Sequence, residues 1–168
     1  MRIASLVTAA VLVLFGCGEQ STPDAAEASG QVAATGETAT YDFTGTTLDG
    51  ERFEGAALKG KPAVLWFWAP WCPTCRAQIP NVSRLAEQYD GEVAVVAVGG
   101  LDKENAIREM ALDIPNATHL IDAKGEVWKH FRVTAQSTYT VIGADGKIKS
   151  EGYLDDADLN TLVEQLAG

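Results

Sequence analysis

Two cysteines three residues apart, Cys72 and Cys75, stand in the stretch WFWAPWCPTCRAQIP, behind a run of aromatics and ahead of a segment with helical periodicity. A pair at this spacing is compatible with metal ligation, a structural crosslink or reversible thiol–disulfide exchange. A structural zinc site takes four ligands, and one C-x-x-C supplies two of them. The only histidines, His119 and His130, lie far along the chain without metal-ligand spacing, and there is no second C-x-x-C. No metal is therefore assigned. A crosslink closing so small a ring stabilises a fold by roughly 2 kcal/mol at best, which a domain rich in apolar residues has little need of.

Exchange fits the surroundings better. KPAVLWFWA is a continuous apolar run that reads as a strand covered on both faces, and the residues after it read as a helix. Cys72 then falls at a helix N-terminus, where free backbone N–H groups and the positive end of the dipole stabilise a thiolate. Cys75 follows one turn on, on the same side. In this reading Cys72 is the nucleophile that attacks a partner's disulfide, and Cys75 resolves the mixed disulfide. Pro73 sits where a proline gives up a backbone donor that lacks a partner anyway, and it stiffens the ring between the sulfurs. Thr74 is placed to satisfy local backbone groups. Trp71 offers a flat apolar surface to a substrate chain, with core packing as the competing account. Trp66 and Trp68 read as core residues of the strand. The sulfurs carry the chemistry themselves, so no cofactor is expected.

The elements that must hold this pair follow from hydrophobic patterning. Two extended runs flank Leu48-Asp49-Gly50, a turn signal for an antiparallel hairpin ahead of the first core strand. After the cysteines, Ile79, Val82, Leu85, Ala86 and Tyr89 share one helical face, while Arg76, Gln78, Arg84, Glu87 and Gln88 are read as lying mostly elsewhere. Pro80 inside this helix predicts a kink. EVAVVAVGG reads as a second buried strand and DKENAIREMALD as a second helix, a βαβ order that favours parallel pairing with a right-handed crossover. A short strand and short helix in THLIDAKGEVWKHF, a hairpin turning at Ala144-Asp145-Gly146 and a terminal helix complete the domain. The predicted class is α/β, with a mixed central sheet flanked by helices and an N-terminal β-hairpin extension.

The N-terminus reads as a targeting segment. MRIASLVTAAVLVLFGCG places one arginine before an apolar run too short to cross a bilayer as a helix, so residues 1–16 are expected to be a signal peptide. Leu14-Phe15-Gly16-Cys17 resembles the lipobox of bacterial lipoproteins, which implies a diacylglycerol on Cys17. At about 0.8 kcal/mol per buried methylene, two acyl chains make a stable anchor. Residues 17–40 are acidic and poor in large aliphatic side chains, the composition of a disordered linker. The folded domain is set at residues 41–168. The expected location is extracytoplasmic, lipid-anchored to the bacterial cell membrane, or secreted if Cys17 stays unmodified. With formal net charge −10 and basic residues scattered singly, the chain has no nucleic-acid-binding character.

With Trp71, Cys72, Cys75, Arg76 and Pro80 in a W-C-x-x-C-R/K-x-x-x-P pattern, the sequence resembles the thioredoxin superfamily. Within it the likeness is to the extracytoplasmic TlpA/ResA/DsbE-like branch, mycobacterial DsbE/DsbF-type lipoproteins included. The likeness extends from about Tyr41 to the end of the chain. It implies a thioredoxin-like fold and thiol–disulfide exchange with exported proteins bearing thiols or disulfides, recharged by a membrane redox partner that the sequence does not identify. Two positions depart from the family pattern. Members carry a cis-proline opposite the cysteines, and Ser137 holds the matching place here. A cis bond before a non-proline residue costs about 2.5–4 kcal/mol, so a trans Gln136–Ser137 bond is expected, with the small serine leaving the sulfurs more open to metal. Trp66 stands where cytoplasmic thioredoxins carry a buried carboxylate. A stabilised Cys72 thiolate favours the reduced protein and makes the disulfide form an oxidant. The alternatives are a reductase supporting cytochrome c maturation, or a metal-binding module of the same fold. A peroxiredoxin-type site fits less well, because Pro70 and Thr74 match its motif but position 77 is alanine.

Overall fold

The structure, a computed structural model, describes residues 35–168. Cys17 and the expected signal peptide lie outside these residues, as does most of the expected linker. Two short strands, β1 (Thr44–Thr46) and β2 (Arg52–Glu54), form the anticipated hairpin. The strand β3 (Ala63–Trp68) is followed by α1 (Pro73–Gln88), β4 (Ala94–Gly99), α2 (Glu104–Ala111) and β5 (Thr118–Ile121). A short helix α3 (Glu126–His130), the hairpin β6 (Thr138–Ile142) and β7 (Ile148–Gly152), and α4 (Asp156–Ala167) complete the chain.

The main sheet has the order β5-β4-β3-β6-β7. β3 pairs parallel with β4 and antiparallel with β6, so the strand leading into the cysteines lies at the centre and is buried along its whole length. Alternation along β3 builds two cores. Val64, Trp66 and Trp68 face one layer together with Val82, Leu85, Ile107, Met110, Leu159 and both cysteines, while Leu65 and Phe67 face the other with Phe43, Leu120 and Trp128. Helices α1, α2 and α4 therefore cover one face, and α3 with the N-terminal hairpin covers the other. Two successive right-handed crossovers moving the same way across the sheet put α1 and α2 on a common side.

Glycine is needed at Gly99 by close packing and at Gly146 by backbone conformation. A Cβ on Gly99 would come within 2.4 Å of Ile107 and 2.7 Å of Trp68, so its absence lets α2 close on the end of β4. Gly146 turns the β6–β7 hairpin at φ 75°. The exposed edges of the sheet are occupied: Thr47 bridges Leu120 of β5, and Thr38 bridges Lys147 at the β7 end. The Ala39 amide also donates to Gly146 O at 2.9 Å. The Ile148 amide donates to Glu37 O at 2.9 Å, so among the described residues the chain is already paired with the β6–β7 hairpin at Glu37, ahead of Tyr41. Backbone pairing of this kind needs no apolar side chains, and composition does not reveal it. α1 is assigned as one helix through Pro80, whose residue is exposed.

Candidate active site

The turn between β3 and α1 is built for a sulfur at its tip. Trp68 is followed by Ala69-Pro70-Trp71, and the Cys72 amide closes the turn by donating to Ala69 O at 3.1 Å. Arg76 reaches back over it: Nε and Nη2 donate to Pro70 O at 3.1 and 2.8 Å. Cys72 is the N-cap of α1, and its Sγ accepts the Cys75 amide at 3.1 Å. Pro73 occupies the first helical position. Thr74, expected to satisfy local backbone groups, is exposed and makes no side-chain hydrogen bond among the described residues; the Cys75 amide is met by the Cys72 sulfur.

Cys72 and Cys75 are joined as a disulfide with their Cα atoms 5.3 Å apart. Both belong to the core layer under α1, yet unequally: Cys72 keeps 4% exposure and Cys75 none. Of the pair, Cys72 is the residue that reaches the surface. Trp71, beside it, is 53% exposed, which removes core packing as its role. Its indole Nε1 donates to Leu101 O at 3.2 Å, fixing the ring at the rim of the turn next to the exposed Leu101 side chain.

Below the disulfide the layer is aromatic. Trp66 lies 6.1 Å from Trp68 and 6.4 Å from Tyr139, the latter pair stacked at 16°. Burial holds the Tyr139 phenol well above its ordinary value, with Asp156 and Tyr153 adding to the shift, so it stays un-ionised.

Ser137 corrects the expectation for its position. The Gln136–Ser137 peptide bond is cis. Tertiary context specifies this end of the segment: the Ser137 hydroxyl accepts from Trp66 Nε1 at 2.7 Å and donates to Gln78 Oε1, and the next residue enters β6. Ser137 is 5% exposed, and its hydroxyl both accepts and donates inside the protein. The histidines are engaged elsewhere, His119 Nε2 with Ile114 O at 2.8 Å and His130 Nε2 with Thr40 O at 2.9 Å. Desolvation lowers the His119 pKa below its ordinary value.

Gln78 is the residue that sequence reasoning misplaced. It is buried, at 4% exposure, and its Nε2 donates to Leu154 O at 3.1 Å. The signal was present in the spacing: Cys75, Gln78, Val82 and Leu85 step by three, four and three, which puts the amide in the apolar stripe rather than on the polar face.

Comparison with known proteins agrees with this arrangement. The Redoxin family model matches residues 33–166. The soluble secreted antigen MPT53 of Mycobacterium tuberculosis is 36% identical over 142 residues, covering 84% of this chain and 76% of that protein. The solved structure of MTB dsbF in its mixed oxidized and reduced forms superposes with a TM-score of 0.70 at 40% identity, over 75% of this chain and 96% of that one. A secreted Mycobacterium tuberculosis disulfide oxidoreductase homologous to E. coli DsbE gives a TM-score of 0.68 at 34% identity, over 75% and 97% of the two chains.

Proposed function

This chain belongs to the Redoxin family, and on that premise we propose that it is a thiol–disulfide oxidoreductase working outside the cytoplasm as an oxidant, passing the Cys72–Cys75 disulfide to thiols of exported proteins. The observation that carries the reading is the inequality of the two sulfurs. Cys72 caps α1 and keeps a trace of solvent exposure beside the exposed Trp71, while Cys75 is sealed one turn below.

A client thiolate attacks Cys72 Sγ, forming a client–Cys72 disulfide and releasing Cys75 as a thiolate that takes up a proton. The client's second thiolate then attacks the client sulfur of that mixed bond. The client leaves oxidised, and Cys72 departs as a thiolate. Both electrons from the client now reside in the reduced pair, which a membrane redox partner must reoxidise. The amide of Cys75 and the N-terminus of α1 stabilise the departing Cys72 thiolate, which favours delivery of the disulfide over its retention.

The N-terminal pattern supports the location: residues 1–16 removed as a signal, Cys17 lipidated, and the acidic stretch between Cys17 and the paired residues 37–39 tethering the domain to the membrane. The secreted relative MPT53 is consistent with export of this family. The test of exchange is Cys75→Ser, run in the reduced state with oxidised clients. Cys72 then attacks but is not released, and mixed disulfides accumulate on a nonreducing gel. Their absence, with Cys72 confirmed free and reactive toward a small disulfide, defeats the proposal.

A further inference from the structure

One turn beyond Cys75, α1 buries the amide of Gln78 within a chain of hydrogen bonds that spans four parts of the fold. Trp66 Nε1 of β3 donates to Ser137 Oγ at 2.7 Å, Ser137 donates to Gln78 Oε1, and Gln78 Nε2 donates to Leu154 O at 3.1 Å in the connection between β7 and α4. The polarity of this chain has one solution. An indole N–H only donates and a backbone carbonyl only accepts, so the Ser137 proton points at Gln78 and the Gln78 amide protons point at Leu154. Of the four members, Gln78 alone stands on the helix that carries the cysteines.

We propose that Gln78 is a positioning residue for exchange with polypeptide clients, holding the segment that ends at Ser137 against the Cys72–Cys75 turn. The residues just before Ser137 are open to solvent: Thr134 and Ala135 are exposed and Gln136 is partly so. The register that pairs Phe67 with Thr138 carries this segment past the end of β3 toward the turn holding Cys72, where an extended client chain joined to Cys72 can run alongside it and pair with its backbone groups. Gln78 touches neither sulfur nor client. It sets the distance between the two surfaces that a client must engage together, and a shift of that distance penalises the bound geometry. A small thiol needs only the sulfur and is indifferent to the segment.

This inference rests on the exchange function proposed above, and the test separates the two. Oxidised wild type, Gln78→Met and Gln78→Glu are reacted with dithiothreitol and with a reduced peptide of about a dozen residues bearing one cysteine. In Gln78→Met, which keeps the side-chain volume but supplies no acceptor to Ser137, the peptide rate constant is expected to fall about tenfold, chiefly through weaker peptide binding, with the dithiothreitol rate within about twofold of wild type. Gln78→Glu retains an acceptor for Ser137 but loses the donor to Leu154, and is expected to show an intermediate drop in the peptide-to-dithiothreitol ratio. Equal losses for both reagents, or no loss for either, overturn the positioning role. Should Gln78→Met not fold, the Gln78→Glu ratio decides, an unchanged ratio overturning the proposal. A wild type that reacts with dithiothreitol but with no peptide overturns the exchange function and this inference with it.

Discussion

Replacing Ser137 by alanine removes one oxygen atom and orphans two buried groups, the Trp66 indole N–H and the Gln78 amide oxygen. Burial of an unsatisfied donor or acceptor costs about 1–3 kcal/mol each, against about 1 kcal/mol for the net value of an ordinary hydrogen bond. Trp66 is 0% exposed and Gln78 4%, so water does not readily replace the lost partner, and the loss for Ser137→Ala is expected at about 3 kcal/mol. With a urea slope near 1.5 kcal/mol/M, the unfolding midpoint falls by about 2 M. The sharper measure is a double-mutant cycle with Trp66→Phe, which deletes the donor. Phenylalanine alone is destabilising because it leaves part of the indole space empty, but in the Ser137→Ala background it also removes an orphan. The double mutant should therefore be more stable than the sum of the singles by about 1–2 kcal/mol. Urea unfolding of all four proteins with the disulfide intact is the assay. A coupling within about 0.3 kcal/mol of zero, the ordinary error of additivity, refutes the claim that these side chains form one satisfied network.

The reduction potential of the Cys72–Cys75 pair is expected at about −120 mV, and a value of about −270 mV would place the protein among reductants and defeat the proposed direction. His119 predicts an acid-side loss of stability. Its folded pKa lies below the ordinary 6.5, so between the two values the unfolded chain binds the extra proton, and unfolding free energy falls as pH drops below about 6.5 through the lowered folded value. His119→Gln retains an N–H for Ile114 O and should flatten that part of the profile; parallel wild-type and variant curves between pH 7 and 5 would contradict it. Cys17→Ala, expressed with the full chain, should move the protein from the membrane fraction to the medium, and continued membrane retention would remove the lipid tether from the account.

The redox pair, its place at a strand–helix junction and the βαβ order were legible in the residues because each depends on local pattern: a continuous apolar run in β3, a helical period in α1, and an Asp-Gly turn between β6 and β7. Trp71 could not be assigned from sequence, because an aromatic residue serves a core and a surface equally well. Its exposure is set by the bond to Leu101 O, thirty residues away.

Gln78 and Ser137 mark the boundary between the two kinds of information. Fifty-nine residues apart, each looks like an ordinary polar side chain, one on a helix and one in a loop. Whether a polar group is buried depends on the partners that satisfy it, and those partners come from β3 and from the connection beyond β7, brought together only when the sheet is assembled. Sequence by itself determined the sulfurs, the helix that begins at the first of them and the class of fold around them. Tertiary structure decided the geometry of the Gln136–Ser137 segment and the inward turn of Gln78, because a hydrogen-bond chain across four separated segments has no local signature.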